Sequence, residues 1–489
     1  MAVGVARLCN ATLDRLPASV ARPAYDRTAT RIGIVHLGIG AFHRAHQAVY
    51  LDDVLAREPA WAVCGVSLRS PDVRDALQPQ DGLYALELLG ETPQWRVIGA
   101  VGEVLCAPRE PAAVRARLAD PAVRLVTLTI TEKGYCLDGD QLDLAHPDIV
   151  RDLADPRLPA SAIGYVVAGL RLRRERGLPA YSVLSCDNLP DNGGKLRRAC
   201  VGYARQFDAA LADWIDANAR FPRSMVDSIT PASDDALRER ARQALGLADA
   251  WPVQREPYAQ WVVEDDFALG RPDWERFGVT MSSDIAGYDR AKLRLLNAPH
   301  SAMAYLGTLL ELETVADAMR HPALAAFVGG LMREHIAPNV ALPEGFDAAA
   351  YISAILARFA NPAVRHRLIQ IAQDGSQKIP VRFLGTIADA MAAGRPIDAL
   401  CLPVAGWLQF VRRQTQAGIP LADPWASQLA AIASGANGDP RDVVQAFLRL
   451  DGIFGPLGLD EQFGRVLQRA YAALGDGSRT AVEATLTER

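Results

Sequence analysis

RIGIVHLGIGAFHRAHQAVYLDDVL, residues 31–55, sets an apolar run of strand length before a glycine pair and then a helical spacing of apolar residues. Strand, glycine turn and helix in that order open a dinucleotide-binding βαβ unit. Gly38 and Gly40 would let the main chain approach a pyrophosphate, whose charge the helix start favours. The candidate cofactor loop is therefore His36, Leu37, Gly38, Ile39, Gly40, Ala41, Phe42, His43 and Arg44. His43 stands where the usual fingerprint has its third glycine, and a lone GxG after a strand serves equally as a plain tight turn. Arg44 strengthens the nucleotide reading if its guanidinium pairs with phosphate; the alternative is a solvated helix residue.

Further strands follow. WAVCGVSL (61–68) ends at Arg69-Ser70-Pro71-Asp72, with no acid at the strand end to hold an adenosine ribose. Asp72 comes slightly late and Arg69 would suit a 2′-phosphate, so NAD is expected with NADP not excluded. VRLVTLTITEKGYC (123–136) and AYSVLSCDNLP (180–190) flank the helical pattern SAIGYVVAGLRLRRERG (161–177). Alternating strands and helices predict a mostly parallel sheet, whose ligands lie beyond the carboxyl ends of its strands. Thr131 and Glu132 after one strand, and Asp187 and Asn188 after the other, are then expected to face cofactor and substrate, although an Asp-Asn pair also makes an ordinary turn. From about Gly287 the spacing becomes helical, as in SAMAYLGTLLELETVADAM (301–319). The expected organisation is an α/β protein: a Rossmann-like dinucleotide domain over 1–286 and a mainly α-helical substrate-binding domain over 287–489.

At that boundary AKLRLLNAPHSA (291–302) places Lys292, Asn297 and His300 close together. A lysine removes a hydroxyl proton only if its amine is neutral, and Leu293, Leu295 and Leu296 would supply the desolvation. Asn297 would hold the substrate oxygen and His300 a second hydroxyl. Asn297 and His300 share a helical face, but Lys292 and Asn297 do not, and Pro299 argues against one regular helix through the stretch. Asn297 is expected at a helix start with Lys292 just before it. A buried segment with a capping Asn and a solvated Lys fits the same residues.

The chain of 489 residues exceeds one compact core. No apolar run approaches the roughly 20 residues of a membrane span, and the first residues lack a secretory pattern, so a cytoplasmic location is the expectation. The seven cysteines are scattered without a CxxC pair or zinc-ligand spacing, which predicts no disulfide and no metal. A net charge of −5 with both signs mixed disfavours nucleic acid and leaves a small molecule as the partner. Nothing marks an oligomer beyond a monomer or weak association.

Seven blocks in order, HLGIGAFHRAH (36–46), TLTITEKGYC (127–136), SVLSCDNLPDNG (182–193), FPRSMVDSITP (221–231), QWVVEDDFALGRPDW (260–274), KLRLLNAPHS (292–301) and DGSQKIP (374–380), resemble the mannitol dehydrogenase family of long-chain dehydrogenases. The resemblance implies zinc-independent, nicotinamide-dependent oxidation of a secondary alcohol. By the same resemblance Lys292 is the base, Asn188 and Asn297 cradle the reacting oxygen, and His300, Asp227 and Lys378 meet the substrate. Pro299 departs from the small residue expected in relatives.

Two branches compete within the family, one taking the neutral pair mannitol and fructose, the other the sugar acids mannonate and fructuronate. An anionic substrate needs a cation beyond the base. Arg294, Arg365, Arg367 and Lys378 are candidates, with Arg365 first, although most arginines are simply solvated. The TEKGYC block, the 161–177 helix and the RHR…DGSQK run resemble the sugar-acid branch more. A non-catalytic nucleotide-binding module is the reading from another class.

Overall fold

The computed structural model describes residues 5–435 and 438–488. The chain divides into two compact units, Met1–Ala286 and Gly287–Arg489.

In the first unit five strands, β1 (Ile32–Leu37), β2 (Ala62–Ser67), β3 (Val101–Cys106), β4 (Leu125–Leu128) and β5 (Ser182–Ser185), form a parallel sheet in the order β5-β4-β1-β2-β3. The strands are near-continuous apolar runs because both faces are covered. Alternate residues of β1 feed different cores. Val35 and Leu37 pack with Ile163, Val166 and Leu170 of a helix over Ala162–Glu175. Ile34 packs on the other side with Ala48 and Leu51 of the helix Gln47–Val54. The strand order reverses between β1 and β4, where an open α/β sheet leaves its crevice.

The glycine turn leads into α1 (Ala41–Ala45), only five residues long, because the backbone breaks at His46 before α2 (Gln47–Val54). The single helix expected after the turn is thus two. Two further strands, β6 (Ser224–Asp227) and β7 (Gln260–Val263), pair antiparallel.

The second unit has no strand among its described residues. Its longest helix, Asp398–Gln416, is buried continuously from Leu400 to Val411. Around Lys292 no single regular helix runs through: α3 (Ile285–Ala291) and a π turn over Lys292–Asn297 lead into α4 (Ala298–Leu309). Asn297 stands at the start of α4 with Lys292 just before it, as the sequence reading has it; what that reading lacks is the π turn and the run from α3 to α4 without a break. Pro299 is tolerated because it falls in the first turn of α4, directly after the widened turn, where Ala298 N–H bonds to the Leu293 carbonyl five residues back. Two more π turns, Leu331–Ile336 and Pro380–Leu384, interrupt the helices of this unit.

Candidate active site

The first unit carries a cleft of about 830 Å³ at the carboxyl end of the parallel sheet, lined by Gly38, Ile39 and Gly40 after β1, Ser67 to Ser70 after β2, and Thr129 to Thr131 after β4. Gly38 has φ +93°, and a Cβ there would stand 2.2 Å from the Thr129 carbonyl oxygen, so this turn requires glycine for the close approach of the β1 and β4 ends. Gly40 differs. A Cβ would meet nothing nearer than 3.8 Å, and it is cleft space that a side chain would fill.

His36 and Leu37 belong to buried β1, and His43 takes the third glycine's place by stacking on His36 at 3.4 Å between ring centroids. His36 is held by Thr127 Oγ1 at 2.7 Å and Thr129 Oγ1 at 2.9 Å. Ala41 and Phe42, half-buried, start α1 without lining the cleft.

Arg44 corrects both sequence readings, being neither solvated nor in the cleft. It is 1% exposed, donates from Nη1 to the Trp251 carbonyl at 2.6 Å, and lies over the rings of Tyr84 and Trp251. Its role is to pin α1. Glu132 also does not line the cleft, being exposed, whereas Thr131 does. Thr131 has φ +63° and ψ 161°, a region almost reserved for glycine and costing about 1–3 kcal/mol.

Asp187 holds that conformation. Its carboxylate accepts the Ile130 and Thr131 amides at 2.9 Å each and the Tyr135 hydroxyl at 2.7 Å, although burial raises its pKa. Asn192 was not singled out from the sequence. It is 1% exposed, donates to the Ser224 carbonyl at 2.8 Å and the Asp187 carbonyl at 3.2 Å, and accepts Ser224 N–H at 3.0 Å. It therefore ties the loop bearing exposed Asn188 to the start of β6, whose last residue is buried Asp227. The second Asn of DNLPDNG was the available signal, masked by its likeness to turn residues.

In the second unit the π turn changes the geometry of the lysine motif. Five residues of α-helix would carry Asn297 about 140° away from Lys292. A turn closed by five-residue bonds returns the two to one side, the reverse of the sequence expectation, and His300 follows three residues on. Lys292 and His300 are each 9% exposed. His300 stacks on Phe359 at 5.1 Å and meets His366 edge-on at 5.0 Å. Its pKa is driven well below 6.5, first by burial and then by the positive charges of Arg358, Arg382 and Lys378 and by His366. The imidazole is neutral.

Arg382, not nominated from the sequence, donates to the Asn297 carbonyl at 3.1 Å and Ser301 Oγ at 2.7 Å. Lys378 Nζ donates to the Ile371 carbonyl at 3.1 Å; burial and Arg382 lower its pKa against the opposing pull of Asp374 and Asp423. Arg365 lies outside this group, exposed, its charge acting on Asp317. Arg294 is committed to Asp389, and Arg367 sits 4.0 Å from Glu313. The cations around His300 are thus Arg358, Arg382 and Lys378.

Two family models cover the chain, the mannitol dehydrogenase Rossmann domain over residues 32–276 and the mannitol dehydrogenase C-terminal domain over 284–474. The chain belongs to the mannitol dehydrogenase family. Among its relatives, the D-mannonate oxidoreductase of Escherichia coli (strain K12) is 40% identical over 477 residues, 95% of this chain and 98% of that one. The structure of Pseudomonas fluorescens mannitol 2-dehydrogenase in ternary complex with NAD and D-mannitol is 38% identical, with a TM-score of 0.80 over 99% of this chain and 100% of that one. A D-sorbitol dehydrogenase in substrate-free form is 33% identical, with a TM-score of 0.91 over 98% of this chain and 100% of that one. This mannitol dehydrogenase family member therefore matches both domains, in that order along the chain.

The buried histidines carry a stability consequence. Burial lowers the pKa of His36 to about 3 and those of His43 and His300 well below 6.5. Below pH 6.5 the unfolded chain binds these protons and the native chain does not, so stability falls as pH drops, by about 1.4 kcal/mol per pH unit for each group. The melting temperature is expected to fall between pH 7 and pH 5, before most carboxylates titrate. A melting temperature flat across that interval would refute this.

Proposed function

We propose that this chain is an NAD-dependent oxidoreductase interconverting a secondary alcohol and a ketone on a sugar acid, D-mannonate and D-fructuronate, without zinc. The observation that carries the choice of substrate is the positive group around His300: Arg358, Arg382 and Lys378, each close enough to depress that imidazole. Such a field favours a carboxylate and offers little to a neutral polyol.

NAD fits the first unit's cleft, where Gly40 leaves room for a diphosphate and Thr131 and Ser67 to Ser70 line the remainder. Bound there, it would supply the hydride acceptor. The chain's own residues do the rest. Lys292, buried, accepts the proton of the substrate hydroxyl on its neutral amine. Asn297 donates amide hydrogens to the oxygen as its charge grows, and Arg382 steadies Asn297 through its carbonyl. His300, with Lys378, orients the remaining hydroxyls.

Steady-state reduction of fructuronate and fructose with NADH tests this. Fructuronate is expected to be favoured at least about 100-fold in kcat/KM, in keeping with a site built to pair a charge. Equal or better turnover of fructose would move the assignment to mannitol oxidation. NADPH belongs in the same assay, because Arg69 rather than a carboxylate follows β2.

A further inference from the structure

Beside the cleft of the first unit, three side chains with the chemistry of metal ligands meet, and the reaction proposed above uses none of them. Cys136 Sγ, a ring nitrogen of His146 and a carboxylate oxygen of Asp148 all lie within 4.8 Å of one another. The local fold brings them together. Cys136 ends the short helical turn Glu132–Tyr135 in a left-handed conformation, φ +51°. A two-residue hairpin, Leu137–Asp138 against Gln141–Leu142, then turns the chain back, and Asp143 N–H bonds to the Cys136 carbonyl at 2.8 Å. His146 caps the helix Pro147–Ala154, which bears Asp148 in its first turn.

We propose that Cys136, His146 and Asp148 form a site for a thiophilic divalent cation of the zinc type, whose occupation weakens dinucleotide binding in the adjoining cleft. Thiolate, imidazole and carboxylate are the three ligand types zinc takes, with a fourth position left for water. Zinc at 2.0–2.3 Å from each would hold the donor atoms about 3.5 Å apart, so side chains within 4.8 Å of one another close by about 1 Å.

The surroundings favour a cation. The carboxylates of Asp148, Asp152 and Asp143 act on the Cys136 sulfur, with the charge of Arg69 opposing them. A divalent ion relieves this crowding of negative charge as it displaces the thiol proton. Cys136 is buried, while His146 and Asp148 are partly exposed and open the site to solvent.

Binding has a definite cost. His146 Nδ1 accepts Asp148 N–H at 3.2 Å, and a metal on either ring nitrogen ends that bond, because it occupies Nδ1 or forces the ring proton onto it. One oxygen of Asp148 pairs with Arg151 at 3.0 Å, and a cation on the same carboxylate weakens that pair. Both Asp148 and Arg151 line the cleft, so the ion and the dinucleotide compete for the same residues. This coupling rests on the cleft's being the dinucleotide site; the metal site itself does not.

Cobalt(II) titration of the full chain tests the site. One equivalent is expected to produce a thiolate-to-cobalt charge-transfer band in the near ultraviolet, absent in Cys136→Ser and at least about tenfold weaker in apparent affinity in His146→Gln. No band in the parent protein, or an undiminished band in Cys136→Ser, overturns the site. Zinc is expected to raise the NADH dissociation constant, read by fluorescence, about tenfold in the parent and not in Cys136→Ser. An NADH affinity indifferent to zinc overturns the coupling, whereas no NADH binding in zinc-free protein counts against the proposed function instead.

Discussion

Lys292→Ala lowers kcat/KM for ketone reduction at least about 100-fold while NADH binding and the melting temperature stay near those of the parent. The expectation follows from the position of the amine. Lys292 is 9% exposed within a π turn flanked by Leu293, Leu295 and Leu296, and a buried ammonium costs more than a buried amine. Proton transfer by a positioned side chain contributes a factor of about 10² to 10⁴. Lys292→Met is the companion variant, since it keeps most of the buried stem and removes only the basic nitrogen. Should either variant retain more than a few per cent of activity, the lysine is not the base.

Gly38→Ala and Gly40→Ala are expected to separate folding from binding. At Gly38 the added methyl carbon would stand 2.2 Å from the Thr129 carbonyl oxygen on a backbone of φ +93°. Main chain cannot yield there as a flexible side chain would, so the loss is about 3 kcal/mol or more, several degrees in melting temperature. At Gly40, φ is −83° and the nearest atom is 3.8 Å away. Gly40→Ala should melt within a degree or two of the parent yet bind NADH at least about tenfold more weakly, the methyl taking space a diphosphate needs. Calorimetry and NADH fluorescence on the two variants decide it. Undiminished NADH affinity in Gly40→Ala would mean that the turn is structural only.

Arg44 shows where sequence reasoning lost its footing. Its neighbours in the chain pointed to phosphate, but Trp251, more than 200 positions away, supplies the carbonyl that takes the guanidinium. Arg382 shows the converse, since nothing in KIPVRFLG marks an arginine that steadies the carbonyl of Asn297. Arg365 was the more visible candidate, in a run rich in basic residues, and it proves exposed. A charged side chain finds its partner through the fold, so its neighbours along the chain say little about where its charge is spent.

The parallel sheet, the glycine turn after β1 and the helical second half could be read from residue order alone, because hydrophobic period and strand-length apolar runs are local properties that burial on both faces of a sheet, or on one stripe of a helix, directly imposes. The common side of Lys292 and Asn297, the strained Thr131 that Asp187 holds, and the cations around His300 could not. Each depends on a helix widened by one residue or on contacts between segments distant in sequence, and such choices are made by packing and by the pairing of buried polar groups.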